Sequence, residues 1–322
     1  MTPYNLHETG FLSDETGLFG LFTGTDGAVP GEVKFSMNPA DAFKQGVVTL
    51  RHWSPALKNM RFQKVPSTYQ DKVLYAHSFL KHGGDILVFQ EFVNREKKTA
   101  YLFYRRFDPI SLKPKGELVN IADVPAKSRQ NFGSFKFVQS EEANRLLLVT
   151  LPMHDKSVNK ESYTLSVFDT AMEQQWKQRA ELTFEDDRFT VAMAAVDEQG
   201  RVFVLGQEFL EGKAGYPDEK DPFQYWLIGY DETGNEIQQR KIGQQNQHLS
   251  KGSMLINQAG ELVFMSAFSA EDQQSIKGIF IEVIDPASLQ TQQQFTRSIP
   301  SQDLQRFMTK KERKSGGELE KV

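Results

Sequence analysis

Apolar residues in this chain arrive in short runs separated by polar turns, and the runs group in fours. The stretch from Arg188 to Ile242 shows the unit most clearly. A first run covers Phe189 to Val196 and turns at Asp197-Glu198-Gln199-Gly200; a second, Arg201 to Gly206, follows directly. After a polar loop comes a third run, Tyr225 to Tyr230, closed by Asp231-Glu232-Thr233-Gly234. A more polar fourth run, Ile237 to Ile242, ends the unit. Runs of roughly four to eight residues bounded by turn residues read as strands.

Two marks place this unit five times along the chain. The turn between the first two strands reads Ser13-Asp14-Glu15-Thr16-Gly17, Lys81-His82-Gly83-Gly84-Asp85, Ser140-Glu141-Glu142-Ala143-Asn144, Asp197-Glu198-Gln199-Gly200 and Asn257-Gln258-Ala259-Gly260. Gly or Asn recurs because a tight hairpin needs a residue that tolerates positive φ. The third strand ends at Trp53-Ser54-Pro55, Phe107-Asp108-Pro109, Phe168-Asp169, Tyr230-Asp231 and Ile284-Asp285-Pro286. There an Asp or Ser side chain accepts from the backbone two residues on and opens the turn. The second strand of each unit is nearly continuous apolar sequence, such as Leu146-Leu147-Leu148-Val149 and Leu262-Val263-Phe264-Met265. That is the pattern of strands covered on both faces. The fourth strand is polar, as an outer edge should be.

A buried inner pair with a wet outer edge predicts an all-β fold, a β-propeller of four-stranded antiparallel blades. The blades run over residues 5–65, 72–120, 132–183, 188–242 and 250–297. A sandwich or plain meander competes, but its strands come at shorter, irregular intervals without a four-strand period. Helical signals are confined to one turn over Asn38–Lys44 and an amphipathic stretch from Gln302 to Met308. Residues 300–322 leave the pattern and form either a charged tail or the start of an unfinished blade at Glu318-Leu319-Glu320-Lys321-Val322. The unfinished blade, which makes the chain part of a larger propeller, is the preferred expectation. A closed ring of five would instead set the strand Tyr4–Leu12 beside the last blade.

Composition narrows function by exclusion. The formal net charge of -4 gives no drive toward nucleic acid or an anionic membrane. No apolar run is long enough to span a bilayer, and Met1 to Gly10 carries no apolar signal-peptide core. With no cysteine, disulfides, thiol nucleophiles and zinc–thiolate sites are excluded.

Asp231-Glu232-Thr233-Gly234 matches the Asp-x-Thr-Gly turn of quinoprotein-like propellers, and Asp169 to Trp176 loosely resembles their tryptophan-docking motif. The chain thus resembles the WD40/quinoprotein-like superfamily, without a quinone cofactor being carried over. With turns such as Phe168-Asp169 and the end Phe307 to Lys314, it also looks like an uncharacterised family of Bacteroidota-type envelope propellers. That resemblance implies the fold and a secreted or periplasmic location, and no activity.

Phosphate loops, the nucleophile elbow, EF-type calcium loops and paired-histidine spacing are all absent, and no cofactor is expected. What remains are the loops that lead into the innermost strands or follow the second strands, because rigid sheets gather such loops on the channel face. They nominate Tyr69, Arg129, Asp186, Asp187, Arg188, Tyr216 and His248 as binding residues. The leading expectation is a non-enzymatic binding or scaffold protein, exported, that holds a protein or glycan partner there. The competing class is a hydrolase or lyase using Asp186, Asp187, Arg129 and His248, and a third is a scaffold without a site. The sequence does not give the ligand or the oligomeric state.

Overall fold

The structure, a computed structural model, describes residues 11–24, 47–57, 60–128, 131–153, 160–185, 188–210, 222–243, 248–269 and 276–300. Among them every regular element is a strand. The chain divides into two compact units, Met1–Ser134 and Phe135–Val322.

Unit 1 holds two large sheets. The first runs in the order β1 (Phe11–Asp14), β2 (Gly17–Gly24), β3 (Val47–Trp53) and β4 (Met60–Val65). A small hairpin, β5 (Thr68–Tyr69) and β6 (Lys72–Val73), leads into the second. That sheet contains β7 (Tyr75–His82), β8 (Asp85–Asn94), β9 (Thr99–Phe107), β10 (Pro114–Ser128) and the short β11 (Asn131–Phe132). Unit 2 holds three four-stranded sheets. The third sheet is β12 (Ser134–Gln139), β13 (Leu146–Leu151), β14 (Ser162–Phe168) and β15 (Gln174–Glu181). The fourth is β16 (Phe189–Val196), β17 (Val202–Phe209), β18 (Phe223–Tyr230) and β19 (Glu236–Lys241). The fifth is β20 (His248–Ile256), β21 (Leu262–Ser269), β22 (Ile276–Ile284) and β23 (Thr291–Ser298). These antiparallel meanders are the propeller blades that the repeat predicts. In the defining unit, Val196 pairs with Val202 and Phe189 with Glu208, so the two strands bond side by side.

Sheets stack face to face within each unit. In unit 1, Phe19, Leu21, Val48 and Leu50 of the first sheet meet Ile86, Val88 and Phe107 of the second. In unit 2, Leu147, Val149, Leu165 and Val167 meet Val202, Val204, Ile228 and Tyr230; Phe203, Leu205 and Leu227 meet Leu262, Phe264 and Phe280. Strand β17 is buried on both faces because the third and fifth sheets lie on either side of it, which is why its sequence does not alternate.

The turns close as their residues require. Asp197 Oδ1 accepts from the Gln199 and Arg201 amides at 3.0 and 2.8 Å, while Gly200 takes φ 91° and donates to the Asp197 carbonyl. In the third sheet the left-handed position falls on Ala143 (φ 56°), one residue before the expected Asn144. Three turns after the third strand put buried Leu112, Met172 and Leu289 at φ 59°, 62° and 55°. Each such backbone costs roughly 1–2 kcal/mol. Burying a leucine or methionine returns about 1.5–3 kcal/mol, which makes these residues apolar plugs under the turns.

Trp176 docks onto the next sheet: its Nε1 donates to the Gly200 carbonyl at 3.0 Å. Other features depart from the pattern. The fourth strand of the second sheet runs to Ser128, with bulges along it, and the β5–β6 hairpin was not foreseen. The helical turns expected at Asn38–Lys44 and Gln302–Met308, the segment before Phe11 and residues 301–322 lie outside the described residues.

Candidate functional site

The feature in unit 1 with the plainest chemistry starts at the β5–β6 hairpin. Thr68 lies opposite Val73 and Tyr69 opposite Lys72, so only Gln70 and Asp71 make the turn. They adopt φ 48° and 61°. A two-residue hairpin with both central φ positive is normally Asn-Gly or Asp-Gly. Two ordinary side chains there cost on the order of 1 kcal/mol each or more. The surroundings hold the hairpin in this form: the Leu74 amide donates to the Ser67 carbonyl at 2.9 Å, and Gln90 Nε2 donates to the Pro66 carbonyl at 3.0 Å.

What the hairpin positions is Tyr69, whose ring lies over Phe103 at 5.0 Å between centroids. Phe103 meets Tyr101 at 6.3 Å, and Tyr101 stacks on Phe92 at 6.4 Å with only 12° between the planes. The row follows from strand geometry. Phe92 is directly opposite Tyr101 and Gln90 directly opposite Phe103, and alternate residues of a strand share a face. Ile86 and Val88, on the same face of β8, belong to the core against the first sheet, so the row carries that core outward to the lead-in edge. Phe103 is buried and Tyr69 is 36% exposed, which gives the row a dry foot and a wet end. Gln90 at the foot is fully buried, and its Oε1 has no hydrogen-bond partner among the described residues. An unmet buried acceptor costs about 1–3 kcal/mol. The partly exposed rings of Tyr69, Tyr101 and Phe92 suit a molecule with an apolar C–H face.

In unit 2 the corresponding edge is charged. Arg188 stands just before β16; its amide donates to the Glu185 carbonyl at 3.0 Å and its Nε lies 3.3 Å from Glu185 Oε2. Both side chains are well exposed, so this pair contributes little stability. The Arg188 carbonyl accepts from the Phe209 amide at 2.7 Å, which ties the loop to β17. Glu208 Oε2 accepts from Trp226 Nε1 at 2.7 Å. Lys136, on β12, donates through Nζ to the Val191 carbonyl at 3.3 Å, and burial lowers its pKa below the ordinary lysine value. Val191 sits at a bulge, a place where strands re-aim side chains.

Of the residues nominated from sequence, Tyr69 belongs to unit 1 and is the exposed end of the aromatic row. Arg188 and His248 belong to unit 2, at the starts of the neighbouring inner strands β16 and β20. The His248 carbonyl accepts from Ser269 Oγ at 3.4 Å. Arg129, Asp186, Asp187 and Tyr216 lie outside the described residues. Sequence reading missed Phe92, Tyr101, Phe103 and Gln90, because their common face depends on the register between β8 and β9. Among the described residues, no group of three His, Asp or Glu side chains is placed to hold a metal ion, and no helix is long and apolar enough to cross a membrane.

No protein-family model matches the chain, and no curated protein matches it. Solved structures do. Cobalt-substituted Synechocystis ACO is similar at 12% identity and TM-score 0.41, over 87% of this chain and 58% of that one. The chain thus spans less than two thirds of that protein. The Penicillium chrysogenum alpha-L-arabinanase complexed with arabinobiose is similar at 9% identity and TM-score 0.43, over 87% and 89%. The GH93 alpha-L-arabinofuranosidase of Fusarium graminearum with arabinobiose follows at 11% and 0.45, over 88% and 77%. A likeness this weak brings over no substrate and no residue role. These proteins are nevertheless enzymes, and this overturns the expectation of a non-enzymatic binding or scaffold protein.

Proposed function

We propose that the protein is a carbohydrate-active hydrolase that holds a sugar against the aromatic row of unit 1. The observation that supports this reading is the row itself, with Tyr69 partly in water and Phe103 and Tyr101 behind it. The C–H face of a sugar ring stacks on such rings. A strained hairpin that holds one exposed ring in place is the expense expected of a binding site rather than of a solvated loop.

Hydrolysis of a glycosidic bond needs a proton donor and a base on either side of the bond. Separately from the row, we propose Asp186 and Asp187 of unit 2 as candidate carboxylates for such work, with His248, Arg188 and Tyr216 of the same unit as further candidates, and Arg129 as a candidate of unit 1. Their support is the sequence pattern, which sets them between the apolar runs. We further propose a secreted or periplasmic location, as in the Bacteroidota-type envelope propellers that the chain resembles. Recovery of the native protein from the cytoplasmic fraction alone would refute that location.

The test is release of new reducing ends from a panel of oligo- and polysaccharides by the intact chain. At least one should be cleaved. Tyr69→Ala should lower kcat/KM on it about tenfold or more, through KM. A folded protein that neither cleaves nor binds any glycan of the panel contradicts the proposal.

A further inference from the structure

The second strands of all the sheets read alike in sequence, yet one of them is not buried alike. In β13 and β17 the first five residues are all buried. In β21 the same kind of run, Leu262-Val263-Phe264-Met265, alternates: Leu262 and Phe264 are 0% exposed and Met265 is 45% exposed. The uncovered side extends across the whole fifth sheet. Met265 lies opposite Ile281, and Ile281 opposite Phe295; Val263 lies opposite Leu255 and Val283, and Ala267 opposite Ile279. Directly opposed residues share a face. Leu255, Met265, Ile279 and Phe295, one from each strand, are each between 38% and 52% exposed. The other face of the same sheet is closed against the fourth sheet by Leu262, Phe264, Phe280 and Ile284.

We propose that this face is a dimer interface, covered in solution by the same face of a second copy of the chain. Within unit 2 the third sheet is covered by the fourth and the fourth by the fifth, so a four-stranded sheet with an apolar face is the shape that fits. A second copy brings one. The centre of the face holds apolar residues with Ser253 and Gln293 and no charge, so it does not repel its own image. Its lead-in edge carries Lys277 and Arg297, and its opposite edge carries Glu261 and Asp285. A two-fold axis reverses one copy and lays cationic edge over acidic edge. Four strands of eight or nine residues make a footprint of roughly 500 Å². That is the scale of the smaller specific interfaces, so the dimer should dissociate on dilution.

Sedimentation equilibrium of the full chain across the micromolar range tests this. The expected result is a mass rising from one chain toward two with concentration. Met265→Lys and Phe295→Glu should each weaken association at least about tenfold while leaving circular dichroism unchanged. Because the chain has no cysteine, Met265→Cys supplies a second reading that survives a misfolded charge variant: under oxidation it should give a disulfide-linked dimer. A monomer at every concentration overturns the proposal. So does a dimer indifferent to both charge variants, or a Met265→Cys protein that stays uncrosslinked and shielded from a thiol reagent.

Discussion

Trp176 and Gly234 should be energetically coupled, and the size of the coupling follows from their geometry. Trp176 is 7% exposed, packs in the core between the third and fourth sheets, and donates to the Gly200 carbonyl at 3.0 Å. Trp176→Ala removes that packing and leaves the carbonyl without its donor, at a cost of about 3–5 kcal/mol. Gly234 has φ 86°, and a Cβ there would lie 2.8 Å from Trp176 Cε3. Gly234→Ala therefore carries two penalties. The left-handed backbone costs roughly 1–2 kcal/mol, and overpacking against the indole costs a further 1–3 kcal/mol or so. Only the first survives once the indole is gone. In the double variant the glycine substitution should thus cost about 1–3 kcal/mol less than it does alone. Urea unfolding followed by circular dichroism measures the cycle, and native-state hydrogen exchange confirms that the affected amides lie in β14 to β19. Equal costs of Gly234→Ala in both backgrounds would refute the docking of Trp176 on this turn.

Further predictions concern titration and packing. Burial alone would raise the Asp14 carboxyl, but hydrogen bonds from Lys81 and Thr16 outweigh it and hold it at about 2. Its contribution is thus present above the ordinary value of 3.8 and fades as pH falls toward about 2; Asp14→Asn should flatten that part of the stability curve. Tyr163 and Tyr230 share a hydrogen bond of 2.7 Å between their hydroxyls, and burial raises both pKa values. The unfolded chain ionises these phenols first, so stability should fall above about pH 10. Tyr163→Phe alone should cost about 1–3 kcal/mol at neutral pH by orphaning the partner hydroxyl, and adding Tyr230→Phe should restore most of it. Leu289→Ala should cost about 2–5 kcal/mol in urea unfolding, the loss of a fully buried plug.

The fold was legible because its signal is periodic and local. Asp197, Asp231 and Asn257 announce their turns by side-chain chemistry that acts within four residues. The continuous apolar second strand of the fourth sheet announces sheets on both sides, whereas the same pattern in the fifth sheet is covered on one side only. Leu112, Met172 and Leu289 take left-handed backbones against their own preference, because burial outweighs the strain; a propensity argument points the other way. The aromatic row was legible only at Tyr69. Phe92 and Tyr101 are nine positions apart and meet through strand pairing, and nothing in the local sequence distinguishes them from other aromatic residues in strands. The non-enzymatic reading rested on the absence of local motifs, which is a weak sign in a fold whose sites are assembled from several loops.

The claim that a sugar sits on Tyr69 can be tested without knowing the reaction. Saturation-transfer difference NMR of the intact chain with the oligosaccharide panel reads which sugar protons touch the protein. The site described above predicts saturation on the C–H face of one ring, lost in Tyr69→Ala and retained in Phe295→Glu. Equal transfer to Tyr69→Ala and to the unaltered protein, or no transfer from any oligosaccharide, would contradict it.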